Sequence, residues 1–259
     1  MQRDPKKGGW TEDAVLGGRL RLRQPARGHR VGHDAILLAA ACPARVGDEV
    51  IDLGAGAGGA GLALAVRVAG ARVTLLEVDP ALAALAAENA QRNGLAGRVR
   101  AVALDVAAPA RAFGAAGLAS DSVARVLMNP PFNDPARQRS SPDGARRRAH
   151  AALPATLAAW VRTAARLLRP RGTLSLIWRA DGLSDVLAAL APAFGAVMVL
   201  PVHPKPGEPA IRILVRATKA SRAPLLLLPG LVLNDVSGHP SLEAEAVLRD
   251  GSALPLGRP

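Results

Sequence analysis

From residue 49 onward, short apolar runs alternate with longer segments that are rich in alanine and leucine. The runs are Glu49 to Leu53, Arg72 to Glu77, Val99 to Leu104, Val123 to Met128, Thr173 to Trp178 and Ala210 to Ala217. Strands that are apolar on both faces are typical of a parallel sheet lying between two layers of helices. The pattern therefore predicts an α/β protein with a doubly wound, mostly parallel sheet.

Two of the segments between these runs have the boundaries of crossover helices. Ala81 to Arg92 consists of strong helix formers and is followed by Asn93-Gly94, while Ala155 to Leu168 is amphipathic and stops before Pro170. By contrast, Asn133 to His150 has almost no apolar residues and carries several arginines, so we predict a mobile loop there.

The two ends of the chain differ from this middle part. Leu16 to Arg23 alternates apolar and basic residues, which predicts a small hairpin before a helix over Asp34 to Ala41. Leu225 to Leu228 and Leu231 to Leu233 are candidates for short strands in a segment otherwise broken by proline and glycine. We therefore expect an N-terminal extension with the hairpin over 1–33, a domain over 34–219, and a C-terminal extension packed on it over 220–259.

The charge of the chain narrows the choice of partners. The 259 residues include 33 Lys and Arg against 21 Asp and Glu, which gives a formal net charge of +12. A strongly basic balance is typical of proteins that bind nucleic acids. A high-GC codon bias also enriches arginine, alanine and proline, so charge alone leaves both explanations open.

Several classes of protein are disfavoured by the composition. Weakly polar stretches such as Gly54 to Val66 are short and glycine-rich, unlike a membrane span, and no apolar run follows the basic N-terminus as it would in a secretory signal. Cys42 is the only cysteine, and the five histidines show no zinc-ligand spacing. We expect a cytoplasmic protein without a structural metal.

The first apolar run continues into a glycine-rich turn with the sequence Asp52-Leu53-Gly54-Ala55-Gly56-Ala57-Gly58. Glycine lets the backbone turn sharply and lets a ligand approach the start of the following helix. The spacing Gly54-x-Gly56-x-x-Gly59 also fits the dinucleotide pattern, with Glu77 about 20 residues further on for a ribose. A nicotinamide-dinucleotide enzyme and a turn without any ligand are both open at this point.

Carboxylates close three of the predicted strands, and they favour one cofactor over the other. Because the carboxyl ends of parallel strands line one crevice, Asp52, Glu77 and Asp105 converge there. Such an acidic crevice suits S-adenosylmethionine, whose sulfonium and ammonium groups are cationic. Glu77 can bind the ribose hydroxyls of this cofactor, and Asp105 can bind its adenine amine. The predicted cofactor residues are Asp52, Gly54, Gly56, Gly58, Glu77, Asp105, Val106 and Asn129.

The run Val126-Leu127-Met128 stops at the string Asn129-Pro130-Pro131-Phe132. Proline has no N–H for a central ladder, so the strand ends at Asn129, on the cofactor edge. An aromatic amine is a poor nucleophile, and the Asn129 side-chain oxygen and the Pro130 carbonyl can each accept one of its N–H groups. With Phe132 stacked on a flat substrate, we predict Asn129, Pro130, Pro131 and Phe132 as the catalytic residues. The alternative is a strand terminator with Phe132 in the core.

On these motifs the chain resembles the class I methyltransferases that have an Asn-Pro-Pro-(Tyr/Phe) motif, and among them the bacterial tRNA1(Val) adenine-37 N6-methyltransferase family. The resemblance covers about Gly17 to Lys219. The matching residues are Gly32-His33-Asp34-Ala35-Ile36-Leu37-Leu38, the turn from Asp52 to Gly58, Glu77, Asp105 and Asn129 to Phe132.

The resemblance implies a Rossmann-like sheet of seven strands whose last strand, Ala210 to Ala217, is antiparallel. It also implies S-adenosylmethionine as cofactor, with Asp34 beside its methionyl end, and an RNA base flipped towards Phe132. The chain departs from the family at His33, where a small hydroxyl residue is expected, and at Phe132, which replaces the commoner tyrosine and lacks its hydroxyl.

Basic residues that follow the catalytic motif are candidates for phosphate contacts. They are Arg137, Arg139, Arg146, Arg147 and Arg148 in the predicted loop, together with Lys205 in a segment that resembles the substrate-side loop of the family. A solvated loop without specific contacts is the alternative for the arginines.

The leading hypothesis is an S-adenosylmethionine-dependent methyltransferase that acts on the exocyclic amine of an adenine in RNA, specifically in tRNA. A protein glutamine N5-methyltransferase uses the same geometry, but such enzymes usually have a helical N-terminal domain, and few residues precede Gly28 here. A guanine N2-methyltransferase of ribosomal RNA stays open at this point. A DNA adenine methyltransferase normally adds a target-recognition domain for which we expect no room, and the presence of Asn129 and Glu77 disfavours a catalytically silent RNA-binding module.

Overall fold

The computed structural model describes residues 9–26, 31–131 and 143–258, and for residues 143–154 it describes the backbone alone. The strands are β1 (Trp10–Val15), β2 (Leu20–Pro25), β3 (Glu49–Leu53), β4 (Arg72–Glu77), β5 (Val99–Ala103), β6 (Val123–Met128), β7 (Leu168–Arg179), β8 (Phe194–His203), β9 (Arg212–Lys219), β10 (Leu226–Leu227) and β11 (Leu231–Val232). The helices are α1 (His33–Ala41), α2 (Gly59–Arg67), α3 (Pro80–Arg92), α4 (Ala110–Ala115), α5 (Asp143–Leu167), α6 (Leu183–Leu190) and α7 (Leu242–Leu248).

The central sheet has the strand order β10-β8-β9-β7-β6-β3-β4-β5, with β11 also paired to β8. The strands from β3 to β7 are parallel to one another, and β9 runs antiparallel between β7 and β8. The predicted α/β class and the antiparallel last strand of the main sheet are confirmed. The sheet exceeds the seven expected strands because the chain after Lys219 returns to the outer side of β8 and adds β10 and β11.

Helices cover both faces of this sheet, and each face has its own apolar core. Buried residues of α1, α2 and α3 pack on one face with Val50, Val73 and Leu127. Buried residues of α4, α5 and α6 pack on the other face with Ile51 and Val126. Adjacent strand residues therefore contribute to opposite cores, as the alternation of side chains along a strand requires.

The apolar runs predicted the bounds of β3, β4 and β6 without error. The predicted break between the helix before residue 168 and the next strand is wrong, because β7 begins at Leu168, directly after α5. Pro170, Arg171 and Gly172 lie at an irregularity of the ladder with β6, and Arg171 has a φ of +66°. Proline is tolerated in a strand at such a bulge, so here it does not mark a strand end.

The predicted mobile loop over Asn133 to His150 is wrong for its last eight residues, which belong to α5. Five of these eight residues are arginine or alanine, and both are strong helix formers. The loop was predicted from the lack of apolar residues, which does not by itself exclude a helix. The first ten residues of the predicted loop, 133–142, lie outside the described residues.

The chain segments before α1 and after β9 pack on the main sheet and its helices. β1 and β2 form an antiparallel hairpin around the turn at Leu16–Gly18, and Leu20 and Leu22 are buried in the first core. Leu254 and Leu256 are buried in the same core, where the Leu254 N–H donates to the Ala40 carbonyl at 3.0 Å. The division of the chain at residues 33 and 219 stays a prediction.

Candidate active site at the carboxyl edge of the sheet

The parallel strands from β3 to β8 end on one side of the sheet, which we call the carboxyl edge. β9 runs in the opposite direction, so its first residue, Arg212, lies at this edge as well. Ligands of open α/β sheets bind outside the carboxyl ends of the strands. The predicted site residues follow these strand ends, and those that the structure describes can be placed relative to this edge.

The glycine turn after β3 is closed on one side and open on the other. Gly54, Gly56 and Gly58 have φ values of +71°, +56° and +94°, which residues with a Cβ rarely adopt. A Cβ on Gly54 would overlap the indole ring of Trp160 from α5, whereas a Cβ on Gly56 would meet no atom of the described residues within 4 Å. The open side at Gly56 is therefore where a ligand can approach the backbone.

Glu77, at the end of β4, lies next to this open position. Its Oε2 accepts a hydrogen bond from the Gly56 N–H at 2.8 Å, and its Oε1 accepts one from the Asp79 N–H at 3.0 Å. The side chain is only 8 % exposed. A carboxylate has about four acceptor positions, so Glu77 can accept further hydrogen bonds from a ligand while it holds the turn.

Asp52 lies underneath the turn rather than on the surface of the crevice, being 2 % exposed. Its Oδ2 accepts a hydrogen bond from the Gly61 N–H at 2.8 Å, in the first turn of α2. Gly58, the N-cap of α2, has no side chain to do this, so Asp52 satisfies a free N–H of the helix from the neighbouring strand. Burial, with a smaller contribution from the charge of Glu77, raises the pKa of Asp52 to about 7 against the lowering effect of the Gly61 hydrogen bond.

We expect the substitution Asp52→Asn to make the stability of the protein less dependent on pH. Between the ordinary pKa of 3.8 and about 7, the unfolded chain ionises Asp52 while the folded chain keeps it protonated. The free energy of unfolding therefore falls as the pH rises through this window, by on the order of 4 kcal/mol for one such group. Urea unfolding of both proteins at a pH below and a pH above this window measures the free energy of unfolding. If the two proteins differed in this free energy by the same amount at both pH values, the raised pKa would be contradicted.

Asp105 and Val106 follow β5 at the same edge, and α5 holds Val106. The Asp105 side chain is exposed, and its Oδ1 accepts a hydrogen bond from the Ala107 N–H at 2.8 Å. Val106 is buried, and its carbonyl accepts a hydrogen bond from Thr163 Oγ1 at 2.9 Å. α5 thus contacts the turn after β3 through Trp160 and the turn after β5 through Thr163.

Asn129 follows the last residue of β6 and carries an unusual acceptor. Its Oδ1 is shielded from solvent, and within residues 9–26, 31–131 and 143–258 it has no hydrogen-bond partner. Pro130 is buried and Pro131 is exposed, while Phe132 lies outside the described residues. Since buried acceptors are nearly always satisfied, the free Oδ1 calls for an N–H or O–H donor that the described chain does not supply.

Asp34, at the start of α1, is paired with a residue that the sequence did not indicate. Its Oδ2 accepts a hydrogen bond from Arg212 Nε at 3.0 Å, and both side chains are partly exposed. Arg212 lies directly opposite Arg179 of β7, which is paired with Asp181. The reversal of β9 was the signal that could have placed Arg212 at the carboxyl edge, because it puts the first residue of that strand there.

The predicted nucleic-acid residues are only partly described. Arg137 and Arg139 lie outside the described residues, and Arg146, Arg147 and Arg148 lie in the first turns of α5, where only the backbone is described. Lys205 is partly buried in the turn after β8, where its carbonyl accepts a hydrogen bond from the Glu208 N–H at 3.3 Å. Of these six residues, Lys205 is the one whose side chain can be placed near the carboxyl edge.

Three acids and three basic residues lie in different halves of the carboxyl edge. Asp52 and Glu77 lie on β3 and β4 and Asp105 follows β5, whereas Arg179 and Arg212 lie on β7 and β9 and Lys205 follows β8. Arg179 and Arg212 are paired there with Asp181 and Asp34. Asn129 lies between the two groups, because β6 separates β3 from β7. In the described part of the chain, His, Cys, Asp and Glu form no group of three or more that could hold a metal ion. No helix there is long and apolar enough to cross a membrane.

Comparison with known proteins finds methyltransferases. Residues 29–201 match the family model of the methyltransferase small domain. A tRNA1(Val) (adenine(37)-N6)-methyltransferase of Dickeya chrysanthemi is 29 % identical over 228 residues, which cover 85 % of this chain and 87 % of that protein.

Solved structures have the same fold. A crystal structure of a predicted O-methyltransferase from Agrobacterium tumefaciens is 30 % identical, has a TM-score of 0.72, and is matched over 85 % of this chain and 98 % of its own. TrmN from Thermus thermophilus is 23 % identical with a TM-score of 0.52, over 71 % of this chain and 47 % of its own, and at that distance it supports the fold alone.

Proposed function

Since the chain belongs to the family of the methyltransferase small domain, we propose that it methylates the exocyclic amino group of an adenine in RNA. The protein is a methyltransferase, and S-adenosylmethionine is its cofactor. We further propose that the acceptor is an amine, that the base is adenine and that the RNA is tRNA.

The residues at the acidic half of the carboxyl edge fit this cofactor. Among the described residues, none fills the space over the backbone at Gly56, and Glu77 beside it has further acceptor positions. We assign the ribose hydroxyls to Glu77, the adenine amine to the exposed Asp105, and the methionyl end to the region of Asp34. When bound, the cofactor supplies an electrophilic methyl group on a positively charged sulfur, and carboxylates at this edge stabilise that charge.

The free Oδ1 of Asn129 is the observation that carries the choice of an amine. An exocyclic amine has two N–H groups, and the Asn129 oxygen and the Pro130 carbonyl supply one acceptor for each. Accepting both hydrogen bonds orients the lone pair of the nitrogen, which is otherwise delocalised into the ring. A hydroxyl group has a single O–H and would use only one of these acceptors, so the site favours nitrogen over oxygen methylation.

The transfer requires no strong base from the chain. The nitrogen becomes cationic as the new N–C bond forms and the S–C bond breaks, and the proton is then lost easily because the cationic amine is acidic. The oxygens of Asn129 and Pro130 stabilise the N–H groups while this positive charge develops. The prolines limit the backbone freedom of these acceptors, so that little reorganisation is needed during the reaction.

The choice of RNA rests on charge and on the name of one relative. The chain has a net charge of +12, and Lys205, Arg179 and Arg212 lie on the side of β6 away from Asp52, Glu77 and Asp105, with Arg179 and Arg212 paired to Asp181 and Asp34. The relative from Dickeya chrysanthemi is named for an adenine in tRNA. We assign the phosphate contacts to Arg137, Arg139, Arg146, Arg147, Arg148 and Lys205, and we place the enzyme in the cytoplasm together with its tRNA.

Incubation of the purified protein with labelled S-adenosylmethionine tests the proposal. Four separate reactions contain an unmodified tRNA transcript, an unmodified ribosomal RNA transcript, duplex DNA or a protein extract as the substrate. The products are digested and analysed by mass spectrometry. We expect N6-methyladenosine from tRNA. Label in N2-methylguanosine, in N5-methylglutamine or on a hydroxyl group would overturn the adenine assignment, and the last would also overturn the amine.

A further inference from the structure

Two asparagines of α3 and its C-terminal end form the same pair of hydrogen bonds with strand β2. Asn93 Oδ1 accepts from the Arg21 N–H at 2.9 Å, and Asn93 Nδ2 donates to the Arg21 carbonyl at 2.7 Å. Asn89, one helical turn earlier, does the same with the N–H and carbonyl of Arg23, both at 2.9 Å. The two side chains thereby satisfy the backbone hydrogen-bonding groups of Arg21 and Arg23 on the outer edge of the hairpin, as a neighbouring strand would.

Asn89 forms one hydrogen bond that Asn93 does not form. Its Nδ2 also donates to the Ala57 carbonyl at 2.9 Å, and the side chain is completely buried. Ala57 belongs to the glycine turn, where it lies between Gly56 and Gly58. The turn is therefore held from two sides, by Glu77 at the Gly56 N–H and by Asn89 at the Ala57 carbonyl.

We propose that Asn89 is a positioning residue for cofactor binding, which holds the Ala57 carbonyl and so keeps the glycine turn in its binding conformation. The proposal rests on the assignment of this turn to S-adenosylmethionine made above. Gly56 and Gly58 flank Ala57, and glycine has the largest backbone freedom of any residue. Hydrogen bonds that order the turn before binding lower the entropic cost of binding.

The same side chain joins the turn to the hairpin. One amide group of Asn89 bonds to Arg23 of β2 and to Ala57 of the turn, so the position of the hairpin and the shape of the turn depend on each other. Asn93 bonds the same hairpin but does not reach the turn. The pair is therefore a matched comparison on one helix, because both side chains bind β2 and only one of them also binds the turn.

Calorimetric titration of Asn89→Ala and Asn93→Ala with S-adenosylmethionine separates these roles. We expect Asn89→Ala to raise the Kd about 10-fold and Asn93→Ala to change it less than about twofold. The titrations are run at a temperature at which the melting curves show that both variants are fully folded. Equal Kd values in the two variants would overturn the role of Asn89. If the unaltered protein itself fails to bind, the cofactor site is wrong instead.

Hydrogen exchange of the unaltered protein gives a second test that needs no substitution. Binding of S-adenosylhomocysteine should order the turn and, through Asn89, slow exchange of the Arg23 amide more than that of the Arg21 amide. Nuclear magnetic resonance resolves these two amides. If hydrogen exchange slows equally at the Arg21 and Arg23 amides, or slows at neither, the link through Asn89 does not exist.

Discussion

Replacement of Asn129 by alanine is expected to lower kcat by about 10²–10³-fold, the effect of removing one fixed hydrogen-bond partner from a developing charge. The substitution removes the Oδ1 that is buried without a partner in the described chain. The amine would then keep a single acceptor at Pro130, and its lone pair would no longer be oriented. Single-turnover kinetics with tRNA and S-adenosylmethionine measure the chemical step directly.

The loss should be confined to catalysis. We expect the Kd for S-adenosylmethionine to stay nearly the same in Asn129→Ala, because the proposed contacts of the ribose and adenine lie at Glu77 and Asp105. Protein stability should not fall, since the substitution removes a buried polar atom that has no partner in the described residues. A variant that still turns over at the original rate would show that Asn129 does not orient the acceptor.

The substitution Glu77→Gln should weaken cofactor binding by about 10- to 100-fold, the range for a hydrogen bond to a charged group. Both carboxylate oxygens accept backbone hydrogen bonds, from Gly56 and from Asp79. An amide has only one oxygen, so its NH₂ group must face one of these N–H groups and one bond is lost. The ribose hydroxyls then also meet a neutral group in place of a carboxylate. Isothermal titration with S-adenosylmethionine measures the change.

Glu49→Gln is the matched control for this substitution. Glu49 is the first residue of β3 and therefore lies at the opposite edge of the sheet, where it is exposed and paired with Arg72 at 3.7 Å. Exposed ion pairs of this kind contribute little to stability. We expect cofactor affinity to be unchanged in Glu49→Gln, and an equal loss in both variants would mean that Glu77 acts only through the net charge of the protein.

The sheet was predictable because its strands are apolar on both faces and end at residues with strong local preferences. β3 ends before Gly54, and β6 ends before Asn129 and two prolines. These signals act within a few residues, so a sequence pattern is sufficient to find them. α5 was predicted too short because its first turns are arginine- and alanine-rich without an apolar face, and only the propensity for helix indicates it there.

The candidate site was predictable as a set of strand ends but not as a set of contacts. Glu77, Asp105 and Asn129 were found from their positions, since parallel strands end together. Asp52 was expected in the crevice, whereas its burial beneath the turn depends on Gly61, nine residues away. Asn89 and Arg212 act through partners that are distant in the sequence, Arg23 and Asp34, and no local pattern marks such pairs.

The packing of Trp160 on Gly54 provides an intrinsic optical probe. The chain has three tryptophans, at positions 10, 160 and 178. Trp10 lies exposed on the hairpin beside Arg23, and Trp178 is buried in the second core, whereas Trp160 has its indole ring against the glycine turn. The emission of Trp160 therefore reports on the environment of the turn, and a protein carrying Trp10→Phe and Trp178→Phe would isolate that signal without a chemical label.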